Sequence, residues 1–278
     1  MSRPLPIAAH ESPSITLAGS PSTARRLRSL YRLFYLREVR GRYLGTSTGL
    51  AWALVHPIAL LGVYWFVFTT VFRAGNFGSK SFLAFVAVAL WPWLAAQEAL
   101  SRATVSLSSY AGLIRKAAFP QEAIVYASVS ATLSLHVVGY VLVLVVLKLM
   151  GEPLHLEGLL IALPLWAVLI VGITGIALAL AALQVFMRDI EHVLVPLLMI
   201  GMYLTPILYP LTLVPESVRP WVAANPFSWV VGRMRDALLD GRIAFAPGDA
   251  IAVVVALALF AAGLAMFRRL APHFEDFL

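Results

Sequence analysis

The 278-residue sequence contains no cysteine, and charged residues make up only 13% of it. The lack of cysteine excludes disulfides, cysteine zinc sites, iron–sulfur ligation and thiol catalysis. A soluble domain is roughly one quarter charged, whereas 60% of this chain is hydrophobic. One water-facing domain could not bury so many apolar residues, so lipid must be the solvent for much of the surface.

The sequence also lacks motifs that would indicate catalysis. It has no G-x-x-x-x-G-K-[ST] phosphate loop, so the chain is not expected to hydrolyse ATP by itself. The six histidines are scattered without metal-ligand spacing, and no pair of ionisable groups indicates acid–base chemistry. We therefore predict that the chain is not an enzyme and binds no metal or other cofactor of its own.

The first 23 residues are rich in Pro, Ser and Ala and contain no apolar stretch of the kind found in signal peptides. This composition favours a short disordered cytoplasmic tail over a cleavable leader. Residues 24–278 contain all of the long apolar segments, and we assign them to one membrane domain.

Six apolar segments are long enough to cross a bilayer, which takes about 20 residues of helix. The predicted spans are Leu50–Phe72, Phe82–Thr104, Ala123–Leu147, Gly158–Met187, Val193–Val214 and Ala250–Phe267. They indicate an all-α integral membrane bundle, because helices satisfy their own backbone hydrogen bonds in lipid. In the fourth span, Gly172, Gly175 and Ala179 allow another helix to approach closely.

The basic residues are distributed asymmetrically around these spans. Seven arginines precede the first span: Arg25, Arg26, Arg28, Arg32, Arg37, Arg40 and Arg42. The loop after it has only Arg73 and Lys80, so the positive-inside rule places the N-terminus in the cytoplasm. With six spans the C-terminus is cytoplasmic as well, in agreement with Arg268 and Arg269. The net charge of +7 then reflects topology and contact with anionic lipids, and nucleic-acid binding is not expected.

The segment before the first span has the pattern of an amphipathic helix. Its apolar side carries Leu27, Leu30, Tyr31 and Phe34, and its basic side carries Arg25, Arg28 and Arg32. We predict an interfacial helix whose apolar side lies in the acyl boundary and whose arginines face lipid phosphates. The alternative is a basic flank that only sets the topology.

Two short basic loops lie on the predicted cytoplasmic side. The stretch from Tyr110 to Pro120 is basic, partly apolar and ended by proline, which suits a small helix that docks in a groove of a soluble partner. An ordinary positive-inside loop is the alternative. In the second loop, Arg188 and Asp189 suggest capping or an ion pair at a helix end.

The fifth predicted span is interrupted near its outer end by prolines. Pro206 and Pro210 remove backbone donors and leave carbonyl groups unpaired at membrane depth. Such backbone must be buried in protein or face a wet cavity. The fifth span is therefore the most irregular one, and its end is a candidate part of a transport path.

The stretch 215–247 after this span is too charged to cross lipid and too apolar for a free loop. Asn225 and Pro226 predict a helix start, and Gly241 predicts a helix end. We expect two short re-entrant helices that dip into the outer leaflet and act as an outer gate. Interfacial helices anchored by tryptophans, without a gating function, are the alternative.

Several motifs occur together in a familiar order. They are Arg40–Gly45 running into Leu50–Pro57, then Ile114–Glu122, Arg188–Ile190, Tyr203–Pro210 and Asn225–Pro226. Together they resemble the permease subunits of ABC exporters for polysaccharides, the O-antigen, capsule and teichoic-acid export family, over about residues 25–278. Two positions depart from the family pattern: His56 stands where asparagine is frequent, and Gln121 where arginine is common.

This resemblance implies a homodimeric pore in the bacterial inner membrane, with an interfacial helix and six spans in each copy. It also implies two copies of a separate ABC ATPase subunit, which would bind ATP and Mg on the cytoplasmic face. The substrate would be a polysaccharide, most consistent with O-antigen, linked to an undecaprenyl diphosphate carrier. The coupling helix of the family maps to Tyr110–Pro120, and its outer gate helices map to Trp221–Asp240.

The candidate site residues fall into three groups. Coupling to the ATPase is expected at Tyr110, Leu113, Ile114, Arg115, Lys116, Phe119, Pro120, Arg188 and Asp189. The substrate entrance is expected at Arg37, Arg40 and Arg42, whose guanidinium groups could bind a diphosphate by charge-assisted hydrogen bonds. The outer gate is expected at Tyr203, Thr205, Pro206, Tyr209, Pro210, Asn225, Pro226 and Trp229.

Three other classes of membrane protein are alternatives to this one. An ABC permease for a drug or another lipid is the nearest alternative. A polyprenyl-dependent glycosyltransferase often needs carboxylates in an outer loop near the first span, and the loop Arg73–Ser81 has none. A channel or ion-driven carrier commonly has charged groups inside its spans, for which Glu98 is the only candidate in the sequence pattern.

Overall fold

The computed structural model describes residues 21–41, part of 55–71, 81–117 and 119–278, and all regular structure in these residues is helical. The helices are α1 (Pro21–Gly41), α2 (Phe82–Ser109), α3 (Ala111–Ile114), α4 (Glu122–Leu149), α5 (Leu159–Phe186), α6 (Ile190–Leu204), α7 (Arg219–Ala224), α8 (Pro226–Asp240), α9 (Pro247–Leu270) and α10 (Phe274–Phe277). Short 3-10 turns occur at Leu156–Gly158, Leu211–Leu213 and Ala271–His273.

Among the described residues, four helical segments are long and apolar enough to cross a membrane. They are Phe82–Ser109, Glu122–Leu149, Leu156–Phe186 and Pro247–Phe277. They correspond to the second, third, fourth and sixth predicted spans, and they confirm the helical membrane class. The first predicted span lies partly outside the described residues, and its described part contains a π-helical turn at Val67–Val71.

The fifth predicted span is helical only in its first part, because α6 is a helix of 15 residues that ends at Leu204. Such a helix is about 22 Å long, which is less than the roughly 30 Å of hydrocarbon in a bilayer. Thr205 has extended backbone angles, and the two prolines that follow cannot donate the next helical hydrogen bonds. The chain from 205 to 214 therefore continues as irregular backbone with one 3-10 turn.

Helix α2 lies at the centre of the bundle, with most of its surface buried against α4, α5 and α8. The largest side chains of the core gather around it, including Trp91, Tyr140 and Trp166, which are almost fully buried. Tyr140 and Trp166 meet edge to face at 5.3 Å between ring centroids. Helix α9, by contrast, packs mainly on α5 and leaves most of its apolar surface exposed.

The close helix approach predicted for the fourth span occurs between α5 and α9 of the same chain. A Cβ atom added to Gly175 would lie 2.3 Å from the carbonyl oxygen of Leu259, and Gly172 faces Ala256. Small residues allow this contact because apolar helices in lipid gain stability mainly from tight packing.

The predicted helix before the first span is present as α1, but its apolar side packs on protein. The Tyr31 hydroxyl donates to Ser130 Oγ at 2.7 Å, and the hydroxyls of Tyr35 and Ser134 lie 3.0 Å apart. Phe34 is buried against the rings of Tyr110 and Phe119. The expectation that this side lies in lipid is therefore wrong for these residues, because α4 offers hydroxyl partners at matching helical spacing.

Candidate functional site

The end of α6 and the start of α8 are joined by hydrogen bonds between side chains. We call residues 205–210 the break, because the helix stops there. The Thr205 hydroxyl donates to the carbonyl of Gly201 at 2.8 Å and accepts from the Asn225 side-chain amide at 2.9 Å. Asn225 Oδ1 also accepts from the backbone N–H of Phe227, which caps α8. The predicted helix start is thus confirmed, and the same residue holds the break against it.

Arg235 binds two carbonyl groups of the break, those of Pro206 and Ile207, and the first of these has lost its helical donor to Pro210. Arg235 projects from α8 with only 7% of its surface exposed. Its Nε–H donates to the carbonyl of Phe85 at 2.9 Å, and its two terminal amino groups donate to the carbonyls of Pro206 and Ile207. The guanidinium carbon also lies 3.5 Å from the centroid of the Phe85 ring, close enough for a cation–π interaction.

Arg235 is a buried cation that the sequence pattern missed when it pointed to Glu98 alone. Among the described residues no carboxylate forms an ion pair with it, so backbone carbonyls supply its polar contacts. The guanidinium is charged, because arginine does not lose its proton in proteins. The helical spacing in the sequence could have indicated this burial. Arg235 follows Val231 by four residues and precedes Leu238 by three, so it lies on the buried side of α8.

Helix α8 lies antiparallel to α2. Near one end, the rings of Phe227 and Trp93 meet edge to face at 4.9 Å, and near the other end Arg235 contacts Phe85. Trp93 lies about 16 Å along the axis of α2 from its first residue, at roughly 1.5 Å per residue. The turn that begins α8 at Asn225 therefore lies far from the first residue of α2, beside the break.

A second polar cluster joins α8 to the start of α9. Arg233 Nε donates to Asp249 Oδ1 at 2.9 Å, and its Nη2 donates to Asp249 Oδ2 and to the carbonyl of Ala244. The indole N–H of Trp229 donates to the same carboxylate at 3.2 Å. The ring of Trp229 covers Gly248 so closely that a Cβ there would lie 2.2 Å from it. Arg233 is therefore held by an ion pair, in contrast to Arg235.

Three of the eight predicted outer gate residues line a cavity of about 350 Å³ between the break and α8. Its lining includes Pro206, Pro210, Trp229 and Arg235. Tyr209 stands at the end of the break, where its hydroxyl donates to the carbonyl of Tyr203 at 2.7 Å. The structure thus brings most of these residues together around the break, whereas the side chain of Tyr203 is exposed.

At the opposite end of the bundle, the two predicted coupling loops share one cavity. A space of about 430 Å³ is lined by residues from both loops and from the C-terminus, including Ser109, Ala111, Arg188 and Phe277. The predicted small helix is present as the four-residue α3. Ile114 is buried, whereas Leu113, Arg115 and Lys116 are exposed and available to a partner.

The second of these loops is held by Gln184 rather than by its charged residues. Asp189 occupies the N-cap position of α6, but its carboxylate makes no capping hydrogen bond, so the first of the two predicted alternatives, capping, is wrong. Instead, the Gln184 side chain donates to the carbonyl of Arg188 and accepts from the backbone N–H of Glu191, each at 3.0 Å. The amide can pair with both backbone groups at once, which leaves Arg188 and Asp189 exposed.

Arg37, one of the predicted entrance arginines, lies at the same end as the coupling loops. Arg37 is stacked over the ring of Tyr110 at 4.6 Å and lines a cavity of about 330 Å³ that also includes Arg102. Burial raises the pKa of the Tyr110 phenol, and the positive charge of Arg37 partly opposes this. Arg40 is exposed, and Arg42 lies outside the described residues.

Arg102 and Glu98 extend this polar region into the bundle. Arg102 Nε donates to Glu98 Oε1 at 2.7 Å, and its Nη1 lies 3.9 Å from Glu38 of α1. The other carboxylate oxygen of Glu98 is 2.9 Å from His136 Nε2 on α4. His136 is thus hydrogen-bonded to a carboxylate on the neighbouring helix. The spacing of Glu98 and Arg102, one helical turn apart, could have pointed to Arg102.

The ABC-2 type transporter family matches residues 29–239 of the sequence. The chain belongs to this family. It is 27% identical over 246 residues to the O-antigen export system permease protein RfbA of Klebsiella pneumoniae, which covers 87% of this chain and 92% of that protein. It is 28% identical over 238 residues to RfbA of Myxococcus xanthus, covering 81% and 86%. The polysialic acid transport protein KpsM of Escherichia coli is 24% identical over 239 residues, covering 84% and 90%.

These comparisons confirm the resemblance on which the sequence interpretation depends. This ABC-2 permease has relatives that are permease subunits, and its apolar helices fit a multi-pass membrane protein. The family match begins within α1 and ends within α8. It therefore includes both coupling loops, the break and Arg235.

Proposed function

We propose that this ABC-2 permease is the transmembrane subunit of an ATP-driven exporter for an undecaprenyl-diphosphate-linked polysaccharide, namely O-antigen. The observation that carries this proposal is the similarity to O-antigen export permeases over nearly their whole length. The chain would act in the bacterial inner membrane as a homodimer, with six spans and cytoplasmic termini in each copy. Its function would be transport rather than catalysis.

The cytoplasmic end would receive two copies of the ABC ATPase, which hold ATP and Mg. The coupling loops support this assignment, because they lie side by side around one cavity and present Arg115, Lys116 and Arg188 outward. A partner that contacts both loops would move α2, α4, α5 and α6 together, since each loop connects two of these helices.

The lipid carrier would enter beside α1, where Arg37, Arg40 and Arg42 precede the first span. Support comes from the cavity that Arg37 shares with Arg102, since two guanidinium groups on neighbouring helices suit a diphosphate. Glu98 and Glu38 partly neutralise Arg102, so Arg37 and Arg40 would make the first electrostatic contact.

At the outer end, α7 and α8 would form a re-entrant pair that closes the path around the break. The contact of Phe227 with Trp93 supports this arrangement, because it places the turn between α7 and α8 about 16 Å from the first residue of α2 along the axis of that helix. This depth is near the middle of a hydrocarbon layer about 30 Å thick. Irregular backbone at such a depth is stable only where it is buried in protein or lines a cavity, and the break meets both conditions.

The proposal is tested by co-expression with a candidate ATPase. We expect the permease to co-purify with the ATPase, and we expect the pair to export O-antigen in a strain that lacks its own permease. A permease that purifies alone and transfers sugar would instead support the glycosyltransferase alternative. Because KpsM is also a relative, a capsule polysaccharide is the second candidate substrate, and export in a strain that lacks its capsule permease would favour it.

A further inference from the structure

We propose that Arg235 is the positioning residue that keeps the outer end of the permease closed. Its guanidinium connects the start of α2 with the break through the carbonyls of Phe85, Pro206 and Ile207. This inference rests on the proposed function, since it assigns closure of the transport path to one side chain. It concerns neither the ATPase contact nor the substrate entrance.

The geometry requires a guanidinium rather than any positive charge. The three acceptors belong to two chain segments, and the planar fork of arginine offers five N–H donors in fixed directions. A lysine ammonium is a compact charge on a flexible stem and could not reach both segments with the same geometry. The face of the Phe85 ring covers the guanidinium and shields it from water.

Loss of Arg235 would open the break to water. The carbonyls of Pro206 and Ile207 would become unpaired, and a buried acceptor without a partner is costly. The least expensive response is for water to enter from the adjoining cavity of about 350 Å³ and hydrate these carbonyls. The expected consequence is a resting permease whose outer end is accessible, while the opposite end of the bundle stays intact.

Arg233 provides a matched control on the same helix. It is as buried as Arg235, with 5% and 7% of their surfaces exposed, respectively. Its partners are Asp249 and the carbonyl of Ala244 near the start of α9, however, and it does not bond to the break. Replacing either arginine by methionine removes one buried charge from α8, but only the change at Arg235 leaves the break carbonyls unpaired.

The natural lack of cysteine allows a direct test with single cysteines. Ile207→Cys places a thiol in the break, where the native side chain is fully buried, and Trp221→Cys places one on the exposed α7. Intact cells that express the permease with its ATPase are treated with a membrane-impermeant maleimide. Labelling of Trp221→Cys from outside shows that the α7–α8 side faces outward, as the proposed function requires.

In the Arg235→Met background we expect Ile207→Cys to be labelled roughly tenfold faster or more. Residues 205–210 can then become exposed to water without the loss of charge-assisted hydrogen bonds. Arg235→Lys should give an intermediate rate, and Arg233→Met should leave the rate near that of the native background. Co-purification with the ATPase should be unchanged in all three, whereas export should fall in Arg235→Met.

Three results would overturn the inference. Ile207→Cys could remain unlabelled in Arg235→Met, Arg233→Met could expose it equally, or Arg235→Lys could behave as the native residue. If Trp221→Cys itself resists labelling from outside, the proposed orientation fails instead, so the two failures are distinguishable. If Arg235→Met does not accumulate, the rates of Arg235→Lys and Arg233→Met are compared in the same way.

Discussion

Gly263 faces Gly175 where α9 crosses α5, and a Cβ added at Gly263 would lie 1.9 Å from the Gly175 carbonyl oxygen. No side chain separates the two backbones at this point. The contact fixes the position of α9, which otherwise presents apolar residues such as Ile251 and Val254 outward. The packing of the last long helix therefore depends on two glycines that are far apart in sequence.

Gly263→Ala should lower the free energy of unfolding, because the added methyl group must push the two backbones apart. Overpacking of this kind typically costs about 1–3 kcal/mol. Thermal unfolding of the detergent-solubilised protein measures the change. Gly232→Ala is the matched control, since a Cβ there meets nothing within 4 Å and alanine favours a helix. Equal stability of the two variants would contradict the packing argument.

Asn225→Ala should destabilise the outer end of the bundle, because it removes both the cap of α8 and the bond to Thr205. Each loss is worth about 1 kcal/mol. Asn225→Ser should cost less, since serine can still accept the capping hydrogen bond but is too short to reach Thr205. The measurement is a double-mutant cycle with Thr205→Val, and additive effects of the two single changes would show that the residues do not interact.

Alanine at Arg37, Arg40 and Arg42 together should abolish or strongly reduce export of the lipid-linked glycan. These arginines precede the first span, and Arg37 lines the cavity that also includes Arg102. The control replaces Arg25, Arg28 and Arg32 by alanine, which removes the same number of positive charges nearer the start of α1. Export is measured in cells with matched membrane levels of each variant. Unimpaired export in the first variant would remove the proposed entrance.

Charge reversal at Arg115 and Lys116 should weaken co-purification of the ATPase by roughly tenfold, since both side chains project from the proposed docking surface. The folded state should tolerate the change because both residues are exposed. Reversal at Arg25 and Arg28 changes the charge by the same amount at exposed positions near the start of α1, outside the coupling loops. Equal loss in both variants would mean that the basic face acts only through its total charge.

Features that depend on residues close together in the sequence could be predicted from the sequence alone. Apolar segments predicted four helices that are present, and the composition excluded a soluble domain. Asn225 was correctly predicted to start α8, because its side chain can accept a hydrogen bond from the next turn. Gly241 was correctly predicted to end it, and it has a φ of 66°, which glycine adopts without strain. The amphipathic pattern of α1 likewise predicted its helix.

The tertiary structure decided how these helices satisfy one another. The prolines of the break indicated unpaired carbonyls, but the sequence pattern did not show that Arg235 would bind them. The pattern placed Tyr31 of α1 in lipid rather than against α4, and it did not show that Gly175 would pack against α9 of the same chain. Hydropathy and helix capping are short-range properties that one chain segment sets by itself. The partner of a buried polar group, or of the backbone at a glycine, depends instead on which helices become neighbours. That is decided only when the bundle packs.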